Sequence, residues 1–123
     1  MPELLYTYSI YILSNKNRTT FYIGVTNVIK RRVLEHKSGK GSSFTTKYNL
    51  TDLMYHEEFD DVRLAIQREK QLKNWHRDWK INLIKNINPA MEDIASDWFA
   101  LEMIKEYKNK KDDEQRDAET SSA

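Results

Sequence analysis

Two short runs of β-branched and aromatic residues set the first constraint on this chain. YTYSIYIL at 6–13 and FYIGV at 21–25 read as strands, and the polar SNKNRTT at 14–20 between them reads as a turn. Neighbours this close in sequence form an antiparallel hairpin with a long loop. A lone hairpin is marginal in water, so the rest of the chain must cover it. LTDLMYHEEF at 50–59 reads as a third strand. Helices are expected over 28–37, behind an Asn27 cap, and over 62–74, behind Asp60 or Asp61. Another is expected over 77–87, stopped by Asn88-Pro89, and a last one from about Glu92. SGKGSSFTTKYN at 38–49 reads as a loop. The order β-β-α-β-α-α-α predicts an α+β fold, a small three-stranded antiparallel sheet flanked by helices.

Composition narrows the choices further. The 123 residues allow a single domain, assigned to 1–104, and a charged tail, 105–123, too polar to pack and expected to be disordered. Cysteine is absent, which excludes disulfides, a thiolate nucleophile and a Cys-ligated zinc. No apolar run is long enough to span a membrane and no secretory signal is visible, so a soluble cytoplasmic protein is expected. The formal net charge is only +1. Residues 16–85, however, hold 15 Lys+Arg and 8 Asp+Glu, whereas 86–123 hold 5 and 10. A basic body precedes an acidic end, which suits a polyanionic partner at the body. Trp75, Trp79 and Trp98 read as core residues.

Charged residues stand among apolar ones on two of the helices. At about 100° per residue, Arg32 and His36 share the arc of Val28, Ile29 and Val33, while Arg31 and Glu35 lie outside it. On the 62–74 helix, Glu69 lies near the centre of the face made by Val62, Ala65, Ile66 and Leu72, with Lys73 beside it. Such groups are seldom buried without partners. One reading is a partly buried Arg32–Glu69 ion pair, or side chains snorkelling to the surface. The other is a cleft between the sheet and both helices, where a carboxylate holds a divalent cation and Arg and His hold a phosphate. Both readings bring the two helices together.

These residues follow an ordered pattern. Ser9-Ile10-Tyr11 is followed by Tyr22-Ile23-Gly24, then Arg32, then His36 four residues on, then SGKG at 38–41, REKQLK at 68–73 and Asn88. From about Tyr6 to Phe99 this resembles the GIY-YIG nuclease family, in particular its small stand-alone members related to the bacterial YhbQ group. Ser9 departs from the pattern by replacing a glycine, a freedom that a regular strand does not need.

The resemblance implies a metal-dependent endonuclease that hydrolyses phosphodiester bonds of DNA. Catalytic roles fall on Tyr11, Tyr22, Arg32, His36 and Glu69, with one Mg²⁺ or Mn²⁺ on Glu69. Arg32 would grip the phosphate and the tyrosines would flank the attacking water, Tyr11 being the preferred base and Tyr22 positioning it. His36 would relay a proton or contact phosphate. Gly24 and Asn88 would support the site, Gly24 by allowing close backbone approach. Lys37, Lys40, Lys47 and Lys73 are expected to contact DNA. No added reader domain is visible, so low sequence specificity is expected, with branched, nicked or single-stranded DNA as candidates and RNA still open. A role in DNA repair or processing fits this reading. The alternatives are a catalytically silent nucleic-acid-binding module, or a protein-interaction domain. The latter would use the last helix, whose Ile94, Trp98, Leu101 and Ile104 could also serve self-association.

Overall fold

The computed structural model describes residues 7–110. The hairpin forms as expected: β1 (Tyr8–Ser14) pairs antiparallel with β2 (Phe21–Thr26), Tyr11 opposite Gly24 and Leu13 opposite Tyr22. β3 (Asp52–Phe59) joins the other side of β1, with Tyr11 opposite His56 and a register shift between Ile12 and Leu13. The strand order is therefore β2-β1-β3, and β2 is an edge.

Side-chain alternation along β1 divides the interior into two layers. Ile10 and Ile12 point to one face and pack with Ile23, Met54, Ala65, Leu72 and Ile84. This layer is closed by α3 (Val62–Asn74) and α4 (Arg77–Ile87). Tyr11 and Leu13 point to the other face and pack with Val33, Leu50, Leu53 and Ala95. Here the cover is α1 (Ile29–Lys37) and the irregular segment 91–99.

Several expectations change. The buried apolar residues of α1 and α3 pack on opposite faces of the sheet rather than against one another. The loop at 38–49 contains a short helix, α2 (Ser43–Lys47), started by a capping box in which the Ser42 side chain accepts from Thr45 N–H and Thr45 Oγ1 from Ser42 N–H. The last helix, α5, covers 101–110 rather than starting near Glu92. In between, the Ile94 amide donates to the Leu53 carbonyl at 2.8 Å, and Asp93 Oδ1 accepts from the amides of Leu53 and Ala95 at 2.8 and 3.0 Å. Those bonds dock 91–99 alongside β3 and leave no room for a helical ladder. Residues 105–110, assigned by sequence to the tail, belong to α5; the rest of that tail lies outside the described residues. Trp79 is 54 % exposed and is not a core residue. No helix among the described residues is long and apolar enough to cross a membrane.

Candidate active site

The site begins with a tyrosine on the inner strand. Tyr11 is almost fully buried, and its ring lies across the edge strand at Gly24. A Cβ at Gly24 would stand 2.5 Å from Tyr11 Oη, so the absent side chain is what lets the phenol extend over β2. The close approach is therefore by a side chain, not by the backbone as expected from sequence. Ser9 is buried in the regular run of β1, opposite Thr26 on β2 and Glu58 on β3.

α1 supplies the next two groups. Arg32 and His36 lie one turn apart, and both meet the Tyr11 hydroxyl: Arg32 Nε donates to it at 3.4 Å and His36 Nε2 lies 3.2 Å away. The second ring nitrogen, His36 Nδ1, lies 3.1 Å from Thr45 Oγ1 on α2. That hydroxyl has the Ser42 carbonyl at 3.1 Å as an acceptor for its own proton. Nδ1 then carries the imidazole hydrogen and Nε2 accepts from Tyr11. The phenolic oxygen so receives from Arg32 and donates to His36. Tyr22 closes the cluster, its ring centroid 6.2 Å from Tyr11 and 5.9 Å from His36.

Glu35 and Tyr107 extend this chain of bonds outward. Arg32 Nη1 pairs with Glu35 Oε1 at 2.7 Å, and the Tyr107 hydroxyl on α5 donates to Glu35 Oε2 at 3.1 Å. The expected Arg32–Glu69 pair does not form; Glu35, the wrong side of the α1 wheel for a core residue, takes the role because α5 covers it. Glu35, Thr45 and Tyr107 were missed as site residues. So was Gly41, where a Cβ would lie 2.1 Å from His36 Nδ1. Among them, only Ser42-x-x-Thr45 left a local signal, a capping box.

Burial and charge set the protonation states. Burial is the main reason the Tyr11 phenol is pushed up to about 12, against the opposing pull of Arg32. Burial, helped by the Arg32 charge, pushes His36 down to about 4, so the imidazole is neutral at pH 7. Burial opposes the charge of Arg32, but its bonds to Glu35 and Tyr11 outweigh that and hold the guanidinium firmly protonated.

Glu69 stands on α3, whose apolar residues pack on the other face of the sheet. It lies between Ala65 and Leu72 at helical spacing, with its side chain only 16 % exposed, and Lys73 Nζ lies 3.3 Å from its Oε2. β2 is what the two halves share: Tyr11 crosses it on one face and α3 packs on the other through Ile23. No group of three His, Cys, Asp or Glu among the described residues could form a metal cage. A single carboxylate fits a hard cation that keeps most of its waters and takes the rest of its oxygens from a phosphate.

The remaining expected residues divide. Lys37 is turned inward, bonding Asp93 and the Thr51 carbonyl, and so ties α1 to 91–99 instead of facing DNA. Lys40 and Lys47 line an open depression at 39–47, Lys47 lying 5.3 Å over the Tyr48 ring. Asn88 caps α4 and clasps the following turn: its Nδ2 donates to the Met54 and Glu92 carbonyls and its Oδ1 accepts from Glu92 N–H. It is a local tie away from Tyr11.

An inner-strand tyrosine joined to an Arg and a His one helical turn apart is the arrangement that the sequence resemblance implied, and the family comparison agrees. The profile of the GIY-YIG catalytic domain matches residues 7–82, more than half of the chain, and the chain belongs to the GIY-YIG nuclease family. Among curated proteins it is similar to a UPF0213 protein of Natronomonas pharaonis, 36 % identical over 75 residues, or 61 % of this chain and 87 % of that one. A UPF0213 protein of Bacillus pumilus is 39 % identical over 61 residues, covering 50 % of this chain and 62 % of that one. The solution structure of a UPF0213 protein from Bacillus halodurans aligns with 74 % of this chain and 97 % of its own, at 26 % identity and a TM-score of 0.47. Membership implies nuclease chemistry on a nucleic acid, of a kind that generally uses a divalent metal.

Proposed function

We propose that this chain is a DNA endonuclease that hydrolyses phosphodiester bonds with one Mg²⁺ or Mn²⁺ at Glu69. The observation that supports this most strongly is the hydrogen-bonded chain from Arg32 through Tyr11 to His36. Glu69 would hold the cation, which would supply charge neutralisation for the phosphate and the leaving sugar oxygen. Arg32 uses two N–H groups to hold Tyr11 and Glu35, and its remaining donors grip a phosphate oxygen. Water then attacks phosphorus. Its proton passes to Tyr11 Oη while the proton of Tyr11 passes to His36 Nε2, so no full tyrosinate accumulates. Without substrate this transfer is strongly uphill, given a phenol near 12 and an imidazole near 4. Burial is the main cause of the neutral His36, and a bound phosphate beside Arg32 offsets the smaller part that the Arg32 charge contributes. Tyr22 orders the water beside Tyr11.

The site reads no base edges by itself, so cleavage with low sequence preference follows, on branched, nicked or single-stranded DNA. A place in DNA repair or processing, and in the cytoplasm, belongs to the same reading. A second reading has one observation behind it: α5 exposes Leu101 at 71 % and Met103 at 48 %, a surface for a protein partner or a second copy. The test is incubation of purified protein with plasmid, branched DNA and matched RNA, with Mg²⁺ or Mn²⁺, beside Glu69→Ala. Metal-dependent DNA cleavage that Glu69→Ala lowers by at least about 100-fold is expected. Cleavage that survives the substitution refutes the assignment. DNA binding without cleavage points to a silent binding module.

A further inference from the structure

α2 is inverted with respect to an ordinary short helix. Its small polar residue, Thr45, is buried at 3 % exposure, while the aromatic Phe44 and Tyr48 on either side are 44 % and 42 % exposed. A short helix that holds His36 through Thr45 needs no aromatic residue on its outer side, and exposed rings forgo the burial that normally keeps them. These rings form a row. Phe44 and Tyr48, four residues apart, have centroids 4.8 Å apart, and Phe44 lies 6.2 Å from Tyr22. Tyr22 is in turn 6.2 Å from Tyr11. The row thus runs without interruption from the candidate catalytic tyrosine to the protein surface. Its outer end is basic: Lys47 sits over the Tyr48 ring and, with Lys40, lines the adjoining depression at 39–47.

We infer that Phe44 and Tyr48 are a stacking platform for unpaired nucleobases next to the phosphate held at Arg32. The inference rests on the nuclease reading of that site and gives it a substrate class: a single-stranded or frayed segment beside the cut. Two features argue for a nucleobase as the occupant. Aromatic rings accept any base by its π-face, so the platform needs no hydrogen-bond readout, and the site offers none. Lysines beside the rings match the phosphates that accompany each base. A duplex keeps its bases paired and leaves the platform unused.

The experiment uses the full chain carrying Glu69→Ala, so that bound nucleic acid stays intact. Fluorescence anisotropy compares a labelled oligothymidine single strand with a blunt duplex of the same length. Phe44→Leu combined with Tyr48→Leu keeps apolar bulk but removes both rings, while Phe44→Trp keeps a ring. The double leucine variant is expected to weaken single-strand binding about tenfold or more and duplex binding by less than about twofold, and Phe44→Trp to retain the single-strand affinity. Unchanged single-strand binding, or equal weakening on both probes, overturns the inference. A thermal melt matching that of the parent shows that α2 still folds; a selective loss with a lowered melt that Phe44→Trp does not restore also overturns it. Cleavage assays on the Glu69 protein separate the two claims. Ring-dependent binding without cleavage removes only the nuclease reading, and cleavage with ring-independent binding removes only the platform.

Discussion

The two faces of the sheet are built from the same strands and differ in what they bury. One holds Ile10, Ile12, Ile23, Met54, Ala65, Leu72 and Ile84, with polar contacts such as the Arg68–Glu57 pair, 2.9 Å, kept to its rim. The other places a phenol, an imidazole and the Thr45 hydroxyl among Leu13, Val33 and Leu50. The first face gains from every buried methylene. The second carries desolvated polar groups whose cost is offset only by their mutual hydrogen bonds. Along β1 the two roles alternate: residues 10 and 12 hold the fold and residue 11 between them is held for reaction, while α3 on the apolar face adds Glu69 to the proposed chemistry.

Three tests probe that contrast. The largest effect belongs to the apolar face. Ile84→Ala, on α4 and away from Glu69, is expected to lower unfolding free energy by about 2–5 kcal/mol. Cleavage below the unfolding transition should stay near the wild-type rate, and denaturant titration with a parallel activity assay checks both. A large activity loss in folded Ile84→Ala would show that the faces are not separable.

The second test concerns the polar face and pH. His36 titrates near 6.5 when unfolded and near 4 when folded. Above pH 6.5 both states are neutral; as pH falls from 6.5 to 4 the unfolded chain takes up a proton that the folded one refuses. Stability should therefore drop across that window, by roughly 3 kcal/mol, and level off below it. Denaturant midpoints measured from pH 7 to 4 should show this slope in the wild type and a shallower one in His36→Asn. Equal slopes would mean that His36 is not buried neutral.

The third test is smaller in stability and sharper in location. Gly24→Ala puts a methyl where the Tyr11 hydroxyl lies, and overpacking of this kind costs about 1–3 kcal/mol. Displacement of Tyr11 should depress cleavage more than the melting temperature suggests. A fully active Gly24→Ala protein would remove Tyr11 from the reaction.

Much of the fold is legible in the sequence because its long elements are periodic. The expected helices at 28–37, 62–74 and 77–87 match Ile29–Lys37, Val62–Asn74 and Arg77–Ile87, and the strands match within two residues. α2 escaped because five residues give no period, although Ser42 and Thr45 spell its start. The 91–99 segment misled because Ile94, Trp98 and Leu101 recur at helical spacing; side-chain and backbone bonds to Leu53 decided otherwise. Tyr11, Tyr22, Arg32 and His36 were legible as a pattern, and the structure brings them together. Their fixing partners were not: Glu35 lies outside the apolar arc of α1, and only a helix seventy residues downstream in sequence covers it through Tyr107. Lys37 and Asn88 looked like site residues because a sequence does not show whether a polar side chain is already engaged elsewhere.

The central claim is that the Arg32 guanidinium holds Tyr11 and a substrate phosphate at once. A single-turnover cleavage rate for Arg32→Lys, with metal and substrate saturating, tests it most directly. Lysine keeps the charge but cannot make both contacts from a planar fork. The account predicts a rate lower by about 100-fold or more, with the fold intact by circular dichroism. A rate within about twofold of wild type would contradict it.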